Sequence, residues 1–225
     1  MAKKIKSPAP IEMLENSDCH WYREVGTSVW LPSVSTILGI LKDGLEYVSP
    51  YELKKAQERG TKVHKGTELL EEGWQLEKRN YTAQEYDMLG GFINWRKMYN
   101  LETLASEKMY TSTKLGYAGT VDRIYSENDT TTLVDLKTTS AIYPKAWLQV
   151  AAYAQLAEKC GSEKIMHVGI LRLTDRSKAK FQWEYKDRTE WQADLKIFNE
   201  IFDVWKYLNK DSQPKESDLP DVISL

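Results

Sequence analysis

Two cysteines, Cys19 and Cys160, are all that the 225 residues provide. A pair so widely separated makes neither a four-thiolate zinc site nor an iron–sulfur cluster by itself. A disulfide framework is not expected, and a reduced, cytoplasmic protein is. No apolar run approaches the roughly 18 residues of a membrane span. The lysines of MAKKIKSPAP lead into no apolar stretch, so a secretory signal is not expected either. No G-x-x-x-x-G-K-[ST] motif occurs, which excludes a P-loop motor. Neither sign of charge dominates: 31 Lys+Arg against 33 Asp+Glu leave a formal −2. That balance speaks against a basic protein that coats nucleic acid, yet permits a local basic groove.

What remains is an ordinary globular composition, 41% hydrophobic and 28% charged, enough for one domain with a sizeable core. Residues 1–20 read as a loose arm and residues 21–209 as a single domain, with an acidic tail over 210–225. A hairpin between Trp21 and Trp30, turning near Gly26, leads into a short helix that Ser33 or Ser35 starts. Ser49-Pro50 opens a long helix reaching about Glu72. A second helix covers 82–99, with Tyr86, Leu89, Ile93 and Met98 for its buried side and Gly90-Gly91 inviting a bend or a close contact.

The period then changes. Leu101–Thr111, Gly116–Ser126 and Thr130–Thr138 read as three strands of an antiparallel meander. A helix over Pro144–Cys160 follows, then strands at Lys164–Leu173 and Lys180–Tyr185, and an amphipathic helix at Thr189–Leu208. Hairpin and helices thus fill 21–99, a strand-bearing core 100–186 and a C-terminal helix 187–209. The fold class is α+β with a mixed sheet.

The strand TTTLVDLKTTS carries the sharpest clue. Alternation puts Leu133, Asp135 and Lys137 on one face and Val134 and Leu136 on the other. An exposed ion pair is the bland explanation of Asp135 and Lys137. On the preceding strand, GYAGTVDRIY places Asp122 near Asp135 across a turn at Glu127–Asp129. Two close carboxylates repel, and a divalent cation relieves that repulsion; pairing of Asp122 with Arg123 is the alternative. On the long helix, ERGTKVHKGTELL sets Gly60, His64 and Glu68 one turn apart. Gln149 and Tyr153 share a face of the helix after the Asp135–Lys137 strand.

In order, R-G-x-x-x-H (Arg59 to His64), G-x-x-D (Gly119 to Asp122), D-x-K (Asp135 to Lys137) and Q-x-x-x-Y (Gln149 to Tyr153) resemble the RecB-type exonuclease branch of the PD-(D/E)XK nuclease superfamily. The segment LPSVSTIL ahead of them resembles phage exonucleases and the mitochondrial genome maintenance exonuclease. The resemblance implies a restriction-endonuclease-like αβββαβ core with extra helices at both ends. It implies a metal-dependent DNA exonuclease acting on single-stranded or frayed ends by metal-activated water. His64, Asp122, Asp135 and the backbone carbonyl of Leu136 would hold Mg²⁺ or Mn²⁺. Lys137 would position and help deprotonate water, and Glu107, on the first strand, would be a base or second-metal ligand, or else pair with Lys108.

Gln149 and Tyr153 would orient Lys137 or the nucleic-acid backbone, and Arg59 would hold a phosphate or brace the helix. Lys55, Arg59 and Lys62 share a stripe that is either a solvated helix face or a phosphate-tracking groove. Trp21, Tyr22 and Trp30 either stack unpaired bases or pack under the hairpin. With two cysteines an iron–sulfur cluster is not expected, and neither is a nucleotide cofactor. The expected partners are single-stranded DNA and a recombinase, a single-strand-binding protein or a helicase. They fit phage recombination or repair in the cytoplasm of a bacterial or infected host cell. A structure-specific endonuclease of the same superfamily, or a non-catalytic DNA-binding accessory, are the alternatives.

Overall fold

The computed structural model describes residues 10–16, 19–41 and 48–214. The acidic tail lies outside the described residues from 215 onward, as do residues 1–9 of the arm. A small sheet opens the domain. Strand β1 (Ile11–Asn16) pairs antiparallel with β2 (Cys19–Glu24), which pairs with the two-residue β3 (Leu31–Pro32). The expected loose arm is therefore a strand over residues 11–16. Without it the edge of β2 would leave its backbone groups unpaired. The turn between β2 and β3 does run through Gly26, at φ 89°. Ser33 then caps α1 (Val34–Leu38), its side chain accepting from the Thr36 amide.

Helix α2 (Pro50–Glu71) starts as expected, with Ser49 as cap and proline in its first turn. Helix α3 (Ala83–Met98) opens on a capping box between Thr82 and Glu85. Its buried side is Met88, Leu89, Phe92 and Trp95, whereas Met98 is exposed. The expected face was thus turned by part of a helical turn. Packing on the sheet, through Trp95 against Tyr125 and Trp183, sets the orientation.

Three long strands follow, β4 (Glu102–Ser112), β5 (Tyr117–Glu127) and β6 (Thr130–Lys137), then α4 (Pro144–Lys159), β7 (His167–Leu173), β8 (Phe181–Asp187) and α5 (Arg188–Leu208). The sheet order is β4-β5-β6-β7-β8, with β6 and β7 parallel and every other pair antiparallel. Helix, three antiparallel strands, crossover helix and parallel strand make the expected αβββαβ order.

Alternation along the strands divides the core in two. Ile124, Leu133, Val168 and Ile170 face α1, α4 and α5, while Tyr125, Val134, Leu136 and Leu171 face α2 and α3. Trp21 and Tyr22, each 4% exposed, and Trp30, 8% exposed, belong to the interior. Trp21 packs on Trp205 at 6.0 Å. They form part of the packing and offer no platform for bases. Burying rings of this size is worth more to a small sheet than leaving them in water.

The two glycines of α3 have opposite duties. A Cβ on Gly91 would lie 2.1 Å from the carbonyl oxygen of Lys180, whereas one on Gly90 would meet nothing within 4 Å. Gly91→Ala is expected to cost about 1–3 kcal/mol by overpacking. Gly90→Ala should be neutral or stabilise by up to about 1 kcal/mol through helix propensity. Urea unfolding of both variants decides, and equal midpoints would contradict the close approach of α3 to the β7–β8 turn.

Candidate metal and phosphate site

The meander brings the chemistry-bearing residues together where β5 and β6 part. Their ladder runs from Glu127↔Thr130 to Arg123↔Val134 and stops there, one step short of setting Asp122 opposite Asp135. The reason is local. The amide of Leu136 donates to Asp122 Oδ2 at 2.7 Å, so a side chain takes the place of a ladder partner. Asp122 thereby touches β6 at the peptide between Asp135 and Leu136. Gly119 lets the neighbouring helix close in, since a Cβ there would lie 2.5 Å from the Tyr153 ring.

Helix α2 supplies His64. Its Nε2 lies 3.1 Å from the carbonyl oxygen of Leu136, and its Nδ1 lies 3.8 Å from Asp122 Oδ2 and 4.0 Å from Glu107 Oε1. His64, Glu107 and Asp122 offer ligand atoms that all fall within 4.8 Å of one another. Glu107 reaches this cluster by an unusual backbone. It is left-handed at φ 45°, and its neighbours pair as Ser106↔Arg123 and Lys108↔Val121 while Glu107 itself stays out of the ladder. A non-glycine residue held in this region costs on the order of 1–3 kcal/mol, and such strain gathers at functional sites. Its carboxylate takes a bond from Arg123 Nη1 at 2.9 Å and does not pair with Lys108, whose ammonium lies over the Tyr110 ring.

Asp135 and Lys137 stand on the opposite face of β6, toward α4. Asp135 is 2% exposed. Its Oδ2 forms an ion pair with Lys137 Nζ at 2.8 Å. Lys137 Nζ donates to Gln149 Oε1 at 2.9 Å, and Gln149 Nε2 donates to the Tyr153 hydroxyl at 3.1 Å. The Gln149–Tyr153 turn of α4 thus grips the lysine from behind.

The titration behaviour follows from this crowding. Burial raises the pKa of Asp122, with Asp135 adding to it against the opposing pull of His64 and Lys137. Burial likewise raises Glu107, and Asp122 adds to it while Arg123 opposes. Burial pulls Lys137 down, but Asp135 and Asp122 outweigh it and hold the ammonium above the ordinary lysine value. Lys137 therefore keeps its proton in this arrangement.

Other expected residues fall around the site in differing states. Arg59 lies beside the end of β6, with long contacts to Thr138 O at 3.4 Å and Gln84 Oε1 at 3.5 Å and a buried Nε that has no hydrogen-bond partner among the described residues. Its donors are under-used. Lys55 is exposed. Lys62 is taken by Glu85 at 3.0 Å and by the Tyr81 ring, so the basic stripe is narrower than its sequence. Glu68 pairs with Lys65 at 2.6 Å and leaves His64 alone. Arg123 makes no bond to the Asp122 carboxylate; it donates to the Asp122 backbone carbonyl and to Glu71. Arg123 and Glu71 are the partners that sequence reasoning missed. One signal was available: Glu71 stands seven residues after His64 on α2, on the same helical face.

The donor set fits a hard divalent cation. It combines one imidazole nitrogen, carboxylate oxygens and a peptide carbonyl. His64 Nε2 hydrogen-bonds the Leu136 carbonyl at 3.1 Å, which turns Nδ1 toward the carboxylates of Asp122 and Glu107.

The chain matches no protein-family model and no curated protein sequence. Among solved structures it is similar to an alkaline exonuclease (LHK-Exo) from Laribacter hongkongensis, at 10% identity and a TM-score of 0.40, over 80% of this chain and 92% of that one. A structure of LHK-Exo in complex with dAMP gives 11% identity and a TM-score of 0.30, over 68% of this chain and 84% of that one. Likeness at this level transfers no residue role, and what the site can do follows from its own groups.

Proposed function

We propose that this chain is a metal-dependent deoxyribonuclease that hydrolyses phosphodiester bonds, working as an exonuclease on single-stranded or frayed DNA ends. One observation carries the reading. At the point where β5 and β6 part, the His64–Glu107–Asp122 cluster adjoins a buried Asp135–Lys137 pair that α4 grips through Gln149. Buried charges are costly, and a sheet has no structural need of two carboxylates and a lysine at one spot.

His64, Asp122, Glu107 and the Leu136 carbonyl, with Asp135 beside them, would hold Mg²⁺ or Mn²⁺. Such an ion, when bound, lowers the pKa of water and polarises a phosphate oxygen. The chain's own groups do the rest. Lys137, fixed by Gln149 and holding its proton, places a positive charge where the scissile phosphate gathers negative charge. Arg59, with donors to spare, takes a non-bridging phosphate oxygen, and Lys55 extends the contact along α2. No strand-opening motor is encoded in these residues, so the substrate is an end already unpaired or one opened by a partner. A recombinase, a single-strand-binding protein or a helicase of a phage recombination or repair system in a bacterial cytoplasm would serve.

The test is cleavage of 5′-labelled, 3′-labelled and covalently circular single strands in Mg²⁺, with and without EDTA. Linear strands should be consumed and circles spared, with EDTA stopping the reaction. Circles cut as fast as linear strands would replace the exonuclease by an endonuclease. Tight binding with no cleavage in Mg²⁺ or Mn²⁺ would leave a binding accessory.

Cation binding should also show in stability, with a definite sign. Asp122 and Glu107 have raised values in the folded state. Without a cation, the stability they contribute is fully present below about pH 4, the ordinary carboxylate range, and is lost as pH rises through their folded values. A cation binds the deprotonated forms and reverses that loss. Saturating Mg²⁺ is expected to raise Tm by about 5–10 °C at about pH 8, and by clearly less at about pH 5. An equal gain at both values, measured by thermal melts, would remove these carboxylates from the cation site.

A further inference from the structure

One buried side chain reaches the carriers of all three clustered ligands, Asp122 and Glu107 directly and His64 through Thr67. Arg123 is 0% exposed. Its Nη1 donates to the Asp122 carbonyl at 2.6 Å and to Glu107 Oε1 at 2.9 Å. Its Nη2 donates to Thr67 Oγ1 at 3.1 Å, and the Thr67 hydroxyl in turn donates to the His64 carbonyl at 2.7 Å. Its Nε donates to Glu71 Oε2 at 2.7 Å. Glu71 is itself anchored by the Tyr125 hydroxyl at 2.7 Å and by Arg96 at 3.4 Å.

This distribution has a functional shape. Glu71, which is shared with Arg96, is the nearest carboxylate to Arg123, at 2.7 Å. Glu107 also comes to the guanidinium by a left-handed backbone at φ 45°, and so lands within reach of His64 and Asp122. The planar fork spreads five donors over three nitrogens in fixed directions, whereas an ammonium has three donors on a single nitrogen.

We propose that Arg123 is the positioning residue of the cluster: it holds the strained Glu107 carboxylate, the Asp122 peptide and the His64 turn at ligating separation, so that a cation meets donors already in place. This rests on the proposed function, because it takes the cluster to be a cation site. Arg123 touches neither the cation nor DNA. Its effect runs through Glu107 and through Thr67.

The experiment is titration of the full chain with Mn²⁺, followed by electron paramagnetic resonance, for wild type, Arg123→Lys, Thr67→Val, Glu107→Gln, the Arg123→Lys/Glu107→Gln double variant and Glu71→Gln. Arg123→Lys should weaken Mn²⁺ binding by about 10–100-fold. Added to Glu107→Gln it should weaken binding by less than about threefold further, since the two act on one ligand. Glu71→Gln should lower the thermal midpoint yet keep Mn²⁺ affinity within about twofold. Wild-type affinity in Arg123→Lys overturns the inference. So does affinity that falls in step with thermal midpoint across Arg123→Lys and Glu71→Gln, which marks a purely structural residue. Where Arg123→Lys fails to fold, Thr67→Val decides: unchanged Mn²⁺ affinity overturns the inference and a several-fold loss supports it. No Mn²⁺ binding by the wild-type chain would instead remove the proposed function itself.

Discussion

Lys137→Ala is expected to slow cleavage of end-labelled single-stranded DNA by at least about 100-fold, the scale of removing a donor aimed at developing charge. Asp135→Ala should lose as much, because it leaves Lys137 without its 2.8 Å partner and removes a carboxylate beside the proposed cation site. Both substitutions should leave DNA binding within a few-fold, since Arg59 and Lys55 are untouched. The loss therefore belongs in kcat and not in KM. Lys137→Arg should not rescue. Gln149 offers one carbonyl oxygen to one ammonium, and a guanidinium is wider and needs a different set of acceptors. Single-turnover rates on a 5′-labelled strand measure the effect. Near wild-type rates from both alanine variants would dismantle the assignment of this pair.

Asp122→Asn should produce effects of opposite sign on stability and on activity. The side-chain oxygen remains to accept from the Leu136 amide, a bond of 2.7 Å in the native chain. What disappears is a buried negative charge that Asp135 and Glu107 oppose. Without cations the variant should melt no lower than wild type, and its melting should lose the rise with Mg²⁺. Cleavage should fall by at least about 100-fold. This is the exchange expected where a site is built at the expense of stability. Thermal melts with and without Mg²⁺ test it. A variant several degrees less stable that still responds to Mg²⁺ would show Asp122 to be structural.

Much of this molecule can be read along the chain, for reasons that differ from element to element. Helix α2 was legible because Ser49-Pro50 is a local start signal, and β5 and β6 because strand-forming residues flank Glu127–Asp129 with a short turn. Asp122, Asp135 and Lys137 were legible together because a hairpin turns sequence distance into spatial distance by simple counting. Gln149 and Tyr153 needed only the helical repeat. Strand β1 was not legible, since its reason to exist is the unpaired edge of β2. The destination of Trp21 and Trp30 was open because an aromatic ring serves a core and a base equally well by composition.

Glu107 and Arg123 mark the limit. The left-handed turn of Glu107 carries no glycine or asparagine to announce it. Arg123 is satisfied by Glu71, 52 residues earlier on another element, and a contact of that span belongs to the tertiary fold alone. The narrowing of the basic stripe has the same origin. Lys62 meets Glu85 only because α3 folds back over α2.

The bond from the Leu136 amide to the Asp122 carboxylate also bears on how errors in folding would show. Side chains along β6 alternate between the two faces, so a slip of β6 by one residue against β5 would send Asp135 and Lys137 to the face of α2 and α3. The same slip would move the Leu136 amide away from Asp122 and His64 away from the Leu136 carbonyl. Correct pairing and a complete site are therefore a single condition. A mispaired chain does not present an altered site; it lacks the constellation altogether.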